Sequence, residues 1–214
     1  MGDRTGNLLD NEKRRYVLNV FPKSRPMGFS LVELMIGVAI IGILLVLALP
    51  SYKVWVQNSQ IRNAAESIQN GLQKAKAEAV ARNSNVAFAF TNIAAGVVAD
   101  SSWNVYEVPA SGIESRSAKE GSKNIRVTVI PATATTVTFN SFGTVGIPLT
   151  VPPQNADGSA LFTQIKLDSA VLPAADNKAL LVTIGNVSGV GSTIRMCDCR
   201  LAPNSSPSAC FSTC

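Results

Sequence analysis

From Phe29 to Leu49 the chain reads FSLVELMIGVAIIGILLVLAL, 21 residues with one ionisable side chain, Glu33. As an α-helix rising about 1.5 Å per residue, this run is about 31 Å long and matches the hydrocarbon core of a bilayer. Basic residues gather before it: Arg4, Lys13, Arg14, Arg15, Lys23 and Arg25 stand against Asp3, Asp10 and Glu12. The positive-inside rule then predicts a cytoplasmic N-terminus, with everything after Pro50 across the membrane. A secretory signal peptide would have a shorter apolar stretch followed by a small-x-small cleavage site, and Pro50, Ser51, Tyr52 and Lys53 offer none. A plain single-span anchor leaves Glu33 without a reason. A carboxylate in an apolar helix costs up to about 3 kcal/mol on insertion scales unless it snorkels or meets a cation.

The rest of the composition narrows the function. Hydrophobic residues make up 46% and charged residues 15% of 214, enough for one folded domain with appendages. The net charge of +5 does not argue for nucleic acid, because it is concentrated before Gly28; beyond it 13 basic residues face 11 acidic ones. Histidine is absent, which removes the commonest general base and metal ligand. No G-x-S-x-G, P-loop or nucleophile–base pair is present, and Asp157, Asp168 and Asp176 lack metal-ligand spacing. The chain reads as a non-enzyme without a cofactor.

After Pro50 the apolar residues Val54, Ile61, Ala65, Ile68, Leu72, Ala75 and Ala79 recur at helical spacing. They predict a helix continuing to about Arg82, bent rather than ended at Pro50. From Asn85 the pattern becomes short β-branched or alternating runs: Asn85–Phe90, Trp103–Val108, Ile125–Ile130, Thr136–Asn140, Leu161–Asp168, Ala179–Ile184 and Thr193–Cys197. These predict an α+β fold, with a long N-terminal helix packed on one antiparallel sheet of about six or seven strands. Ser111–Gly121 and Leu149–Ser159 read as polar loops, and Asp157-Gly158 as a turn.

The octet Gly28-Phe29-Ser30-Leu31-Val32-Glu33-Leu34-Met35 resembles the class III signal of type IV prepilins and type II secretion pseudopilins. The resemblance implies that a prepilin peptidase cuts between Gly28 and Phe29 and methylates the Phe29 amine. It also implies that Glu33 meets the N-terminal amine of a neighbouring subunit and sets register in a filament. An amine facing the carboxylate would relieve the cost of burying it. Pro50 matches the family's usual kink. The helix-then-strands order and Phe139-Asn140-Ser141-Phe142-Gly143 resemble the GspH/FimT branch of minor pilins. The implied organisation is a leader over 1–28, a membrane half of the helix over 29–49, an amphipathic half over 50–82, a β-rich head over 83–196 and a cysteine-rich tail over 197–214. The implied partners are other pilin or pseudopilin subunits, the prepilin peptidase, an inner-membrane assembly platform and the lipid bilayer. The implied location is the bacterial inner membrane with a periplasmic head, and then a pilus or pseudopilus.

Two groups in the head remain to be placed. Cys197, Cys199, Cys210 and Cys214 are the chain's four cysteines. In an exported domain they predict two disulfides rather than a four-thiolate zinc site. Cys197 and Cys199 are not expected to bond to each other, so each is expected to cross to Cys210 or Cys214, in an order left open. Arg195 and Arg200, with Lys166 and Lys178, are candidates for contacting DNA phosphates, as in FimT-like pilins, against a plain solvated surface. Of that branch's glycine-Arg-x-Arg element only the second arginine has a counterpart, Arg195, with Thr193 in the place of the first. Trp103 and Tyr106 are candidates for base stacking but fit core or edge packing better.

Overall fold

The computed structural model describes residues 28–94, 97–98, 100–109, 111–146, 154–155, 157–185, 192–201 and 210. The expected leader up to residue 27, most of the tail beyond Leu201, and Cys214 lie outside the described residues. The chain divides into two compact units, Met1–Val46 and Leu47–Cys214.

A single helix, α1 (Leu31–Arg82, 52 residues), begins in the first unit and ends in the second. Pro50 lies inside it without ending it. Proline removes one N–H and crowds the carbonyl four residues back, but the strong helix formers around it keep the ladder going. The end is chemically explicit. Asn83 adopts φ 52°, its N–H reaches the Val80 carbonyl at 3.3 Å, and the Ser84 N–H reaches the Ala79 carbonyl at 3.2 Å. This is a Schellman closure with asparagine, one of the few residues that tolerate the left-handed conformation.

Among the described residues of the second unit, ten strands follow: β1 (Val86–Phe90), β2 (Ile93–Ala94), β3 (Val97–Val98), β4 (Trp103–Glu107), β5 (Ser111–Arg116), β6 (Ile125–Ile130), β7 (Thr136–Phe139), β8 (Gln164–Ser169), β9 (Leu180–Gly185) and β10 (Thr193–Asp198). They form two four-stranded antiparallel sheets, ordered β5-β4-β1-β7 and β10-β9-β8-β6, and a β2-β3 hairpin. The expectation of one sheet is therefore corrected. The period-2 pattern identifies strands, while their division into sheets depends on contacts far apart in sequence. Ser111–Gly121 is corrected as well: its first six residues are the edge strand β5, which is exposed at all but one position and so lacks an alternating signal. In the other expected loop, Gln154 bridges to Ala160 around Asp157-Gly158, where Gly158 takes φ 80° and Asp157 accepts the Ser159 N–H.

The helix residues Ile61, Ala65, Ile68, Leu72, Ala75 and Ala79 share one core cluster with Phe88 and Phe139 of one sheet and Val127, Ile165 and Val182 of the other. Two details fix the helix on the sheets. At Gly71 an added Cβ would lie 2.8 Å from the Phe88 ring and 3.0 Å from the Trp103 ring, so glycine is what permits the close approach. One turn earlier, the Trp103 indole Nε1 donates to the Ser67 hydroxyl at 2.9 Å, and its ring stacks on Phe88 with centroids 5.4 Å apart.

Candidate assembly segment and head surface

The expected processing site is exposed. Gly28, Phe29 and Ser30 precede the helix, Phe29 is 85% exposed, and the Ser30 carbonyl accepts the first helical N–H from Leu34 at 3.1 Å. Glu33 lies in the first turn of α1, where a carboxylate faces the positive end of the helix dipole. From Leu31 through Leu49 the large apolar side chains are exposed among the described residues. An 18-residue window of this helix has mean hydropathy 2.8 and none of it is buried. Water does not tolerate so large a continuous apolar surface, so it requires lipid or other chains.

Phe139-Asn140-Ser141-Phe142-Gly143 forms a turn whose parts have separate tasks. Phe139 is fully buried, the Asn140 side-chain oxygen accepts the N–H groups of Phe142 and Thr144, and Gly143 takes φ 69°. A Cβ at Gly143 would stand 3.1 Å from Lys76 Cε and 3.3 Å from Val80 Cγ2, so both conformation and space call for glycine. Asn155, 1% exposed, ties the following segment to β7. Its Oδ1 accepts the Thr138 N–H at 2.9 Å, and its Nδ2 donates to Thr136 O, Ser159 Oγ and Ala160 O.

The three described cysteines are all oxidised. Cys197 of β10 is bridged to Cys210, with Cα atoms 5.1 Å apart, and Cys199 is disulfide-bonded too. Thiolate ligation by these residues is thereby replaced by a covalent tie that packs Cys197 and Cys210 against Leu181 of β9. Cys214 lies outside the described residues.

The structure separates the basic residues that sequence grouped together. Arg195, opposite Thr183 on β9, lines a cleft of ≈ 540 Å³ with Gln73, Lys76 and Ser192. The Lys76 ammonium donates to the Ser192 carbonyl at 2.6 Å. Arg200 and Lys178 line a different cleft of ≈ 270 Å³, together with Trp55, Asn58, Arg62 and Asp198. Lys166 sits on β8, opposite Thr128 and Leu181. Arg62 and Lys76 were missed by sequence reading because they belong to the helix, more than a hundred residues before their neighbours. Their signal was a cation on the helix face adjoining the apolar stripe. Trp103, 2% exposed, is a core residue and offers no stacking face.

Charges in this region are paired in defined geometry. Asp198 takes a fork from Arg200, with Nε to Oδ1 at 3.1 Å and Nη2 to Oδ2 at 2.7 Å. That hydrogen bond holds the Asp198 carboxyl below its usual range despite burial, which acts in the opposite direction. On β6 and β8, Arg126 forks onto Asp168 directly across the ladder, both bonds at 2.8 Å. No group of three or more potential metal ligands occurs among the described residues.

A family model described as type II transport protein GspH matches residues 64–170, half of the chain. The matched part runs from the buried face of α1 through β8. The type IV minor pilin FimU of Pseudomonas aeruginosa PAO1 is similar in two crystal forms. In space group P21 the TM-score is 0.42 at 15% identity, covering 66% of this chain and 92% of that one. In space group P65 the TM-score is 0.39 at 18% identity, covering 63% and 91%.

Proposed function

We propose, from the premise that this chain belongs to the GspH family of minor pilins and pseudopilins, that it is an assembly subunit inserted through α1. The observation that carries this is the helix beginning at Leu31, apolar and unburied over its first half, with one carboxylate in its first turn. In the proposed sequence, a prepilin peptidase on the cytoplasmic face cuts between Gly28 and Phe29 and methylates the Phe29 amine. The exposed residues Gly28–Ser30, outside the helix, suit a peptidase cleft. The processed helix remains in the inner membrane, with residues 29–49 in lipid and the head in the periplasm. An assembly platform then passes it beside other pilin or pseudopilin subunits. There Glu33 accepts a neighbour's N-terminal ammonium, and this pairing fixes the axial register. An ammonium meeting the carboxylate offsets the desolvation that an unpaired charge would suffer.

Mass spectrometry of sheared filaments and of membranes tests this on the N-terminal peptide. A methylated Phe29 terminus in filaments is the expected result for a pilus, and in membranes alone for a secretion pseudopilus. An unprocessed Met1 terminus in both would overturn the proposal. Abundance relative to other subunits separates a minor from a major pilin. Glu33→Ala is expected to leave insertion intact and to abolish incorporation into filaments.

A further inference from the structure

The cleft holding Arg200 has a position and a composition that the assembly role does not use. Between Glu33 and Lys53 the helix runs from Leu34 to Tyr52 without a charge. The segment expected in lipid ends at Leu49, so at about 1.5 Å per residue the far headgroup layer falls at Tyr52 and Trp55, about 5 and 9 Å beyond it. These rings are 61% and 66% exposed, and their centroids are 6.1 Å apart. Such amphipathic rings settle at the level of lipid headgroups. Trp55 is also one wall of the ≈ 270 Å³ cleft, and Arg62, Lys178 and Arg200 supply its cations. Arg62 lies two turns beyond Trp55, and side chains on a helix lean toward its N-terminus, here toward the headgroup layer.

The cleft is braced rather than left to loose side chains. Asn58 holds its two sides together: its Oδ1 accepts the Lys178 N–H at 2.9 Å, and its Nδ2 donates to the Asp176 carbonyl at 3.0 Å. The lone carboxylate in the lining, Asp198, is engaged by Arg200 and orients that guanidinium. Three cations against one carboxylate leave a surplus of two positive charges beside an interfacial tryptophan.

We propose that this cleft binds the phosphate of an anionic phospholipid, seating the base of the head on the outer face of the membrane before assembly. The inference rests on the membrane reading of α1. Its ligand is a lipid phosphodiester, since the cleft opens beside the aromatic pair that marks the boundary. A lipid held here would let go when the subunit leaves the bilayer for a filament.

The test uses the full-length chain in detergent micelles, titrated with phosphatidylglycerol or phosphatidylcholine and read by native mass spectrometry. The expected result is selective retention of phosphatidylglycerol, reduced about tenfold or more in Arg62→Gln/Lys178→Gln, since each cation near an anionic surface contributes about one kcal/mol. An unchanged thermal unfolding midpoint of the variant excludes misfolding as the cause. Equal retention of both lipids, or a selectivity the variant keeps, overturns the inference. So does a DNA duplex that binds the chain and loses affinity in the same variant, which would assign the cleft to nucleic acid. Alkaline extraction of membranes separates the two levels: release of the wild-type chain overturns the membrane reading itself, whereas retention with no lipid selectivity overturns only the cleft.

Discussion

The two halves of α1 are written in the same secondary structure and in opposite chemistry. Up to Leu49 its residues are apolar on every side and exposed, with Ile40 at 53% and Leu47 at 71%. Beyond Pro50 the apolar residues narrow to a stripe, and Ile61, Ile68, Leu72 and Ala79 are fully buried under two sheets. Among the described residues the first half buries none of its large apolar side chains, while the second buries its stripe in the core. Hydrophobicity therefore identifies neither role by itself; its angular distribution around the helix does. A uniform apolar cylinder calls for an external solvent or neighbour, and a stripe calls for an internal core.

Paired substitutions sharpen this contrast. Ile68→Ala is expected to destabilise the head by about 2–5 kcal/mol, while Ile40→Ala leaves the unfolding midpoint of the full-length chain in detergent unchanged. Equal losses at both positions would break the distinction. Glycine supplies a second pair. Gly71→Ala pushes a methyl to 2.8 Å from Phe88 and is expected to cost about 1–3 kcal/mol, whereas at Gly42 an added Cβ meets nothing within 4 Å. A silent Gly71→Ala in denaturant titration would mean that the helix sits farther from the sheet than the geometry states.

Asn155→Ala strips the Thr138 N–H of its acceptor and is expected to cost about 1–3 kcal/mol, read as a lowered urea midpoint. The smallest effect is on pH. Asp198 is held below the usual carboxylate range first by Arg200, and Asp157 by the Ser159 hydroxyl. A carboxyl with a depressed folded pKa stabilises the head above its unfolded value and loses that contribution as pH falls through the folded one. With no histidine in the chain, the melting temperature should be flat between about pH 5 and 8 and decline below about pH 4. A step near pH 6 would contradict this.

Much of the fold was legible because it is local. The apolar run, the 3.6-residue stripe to Arg82 and the run Ile125–Ile130, which matches β6 residue for residue, are periodicities that one segment carries by itself. The failures share a cause. β5 reads as a loop because an edge strand exposed on both faces needs no apolar alternation, and β2-β3 is too short to show a period. The split into two sheets, and the cysteine that Cys197 would choose, depend on chain closures that no window contains. The same holds at the surface: Arg200 and Lys178 were legible as cations, but Arg62 joins them only once the helix is laid against the sheets.

The single cluster shared by helix and sheets has a mechanical side. Tension entering the second unit along α1 reaches Ile61, Ile68, Leu72 and Ala79, which share one cluster with residues of both sheets. With contacts side by side, the load is shared among them. A chain pulled along α1 would hold until the whole cluster yields together, which would suit the assembly role proposed above.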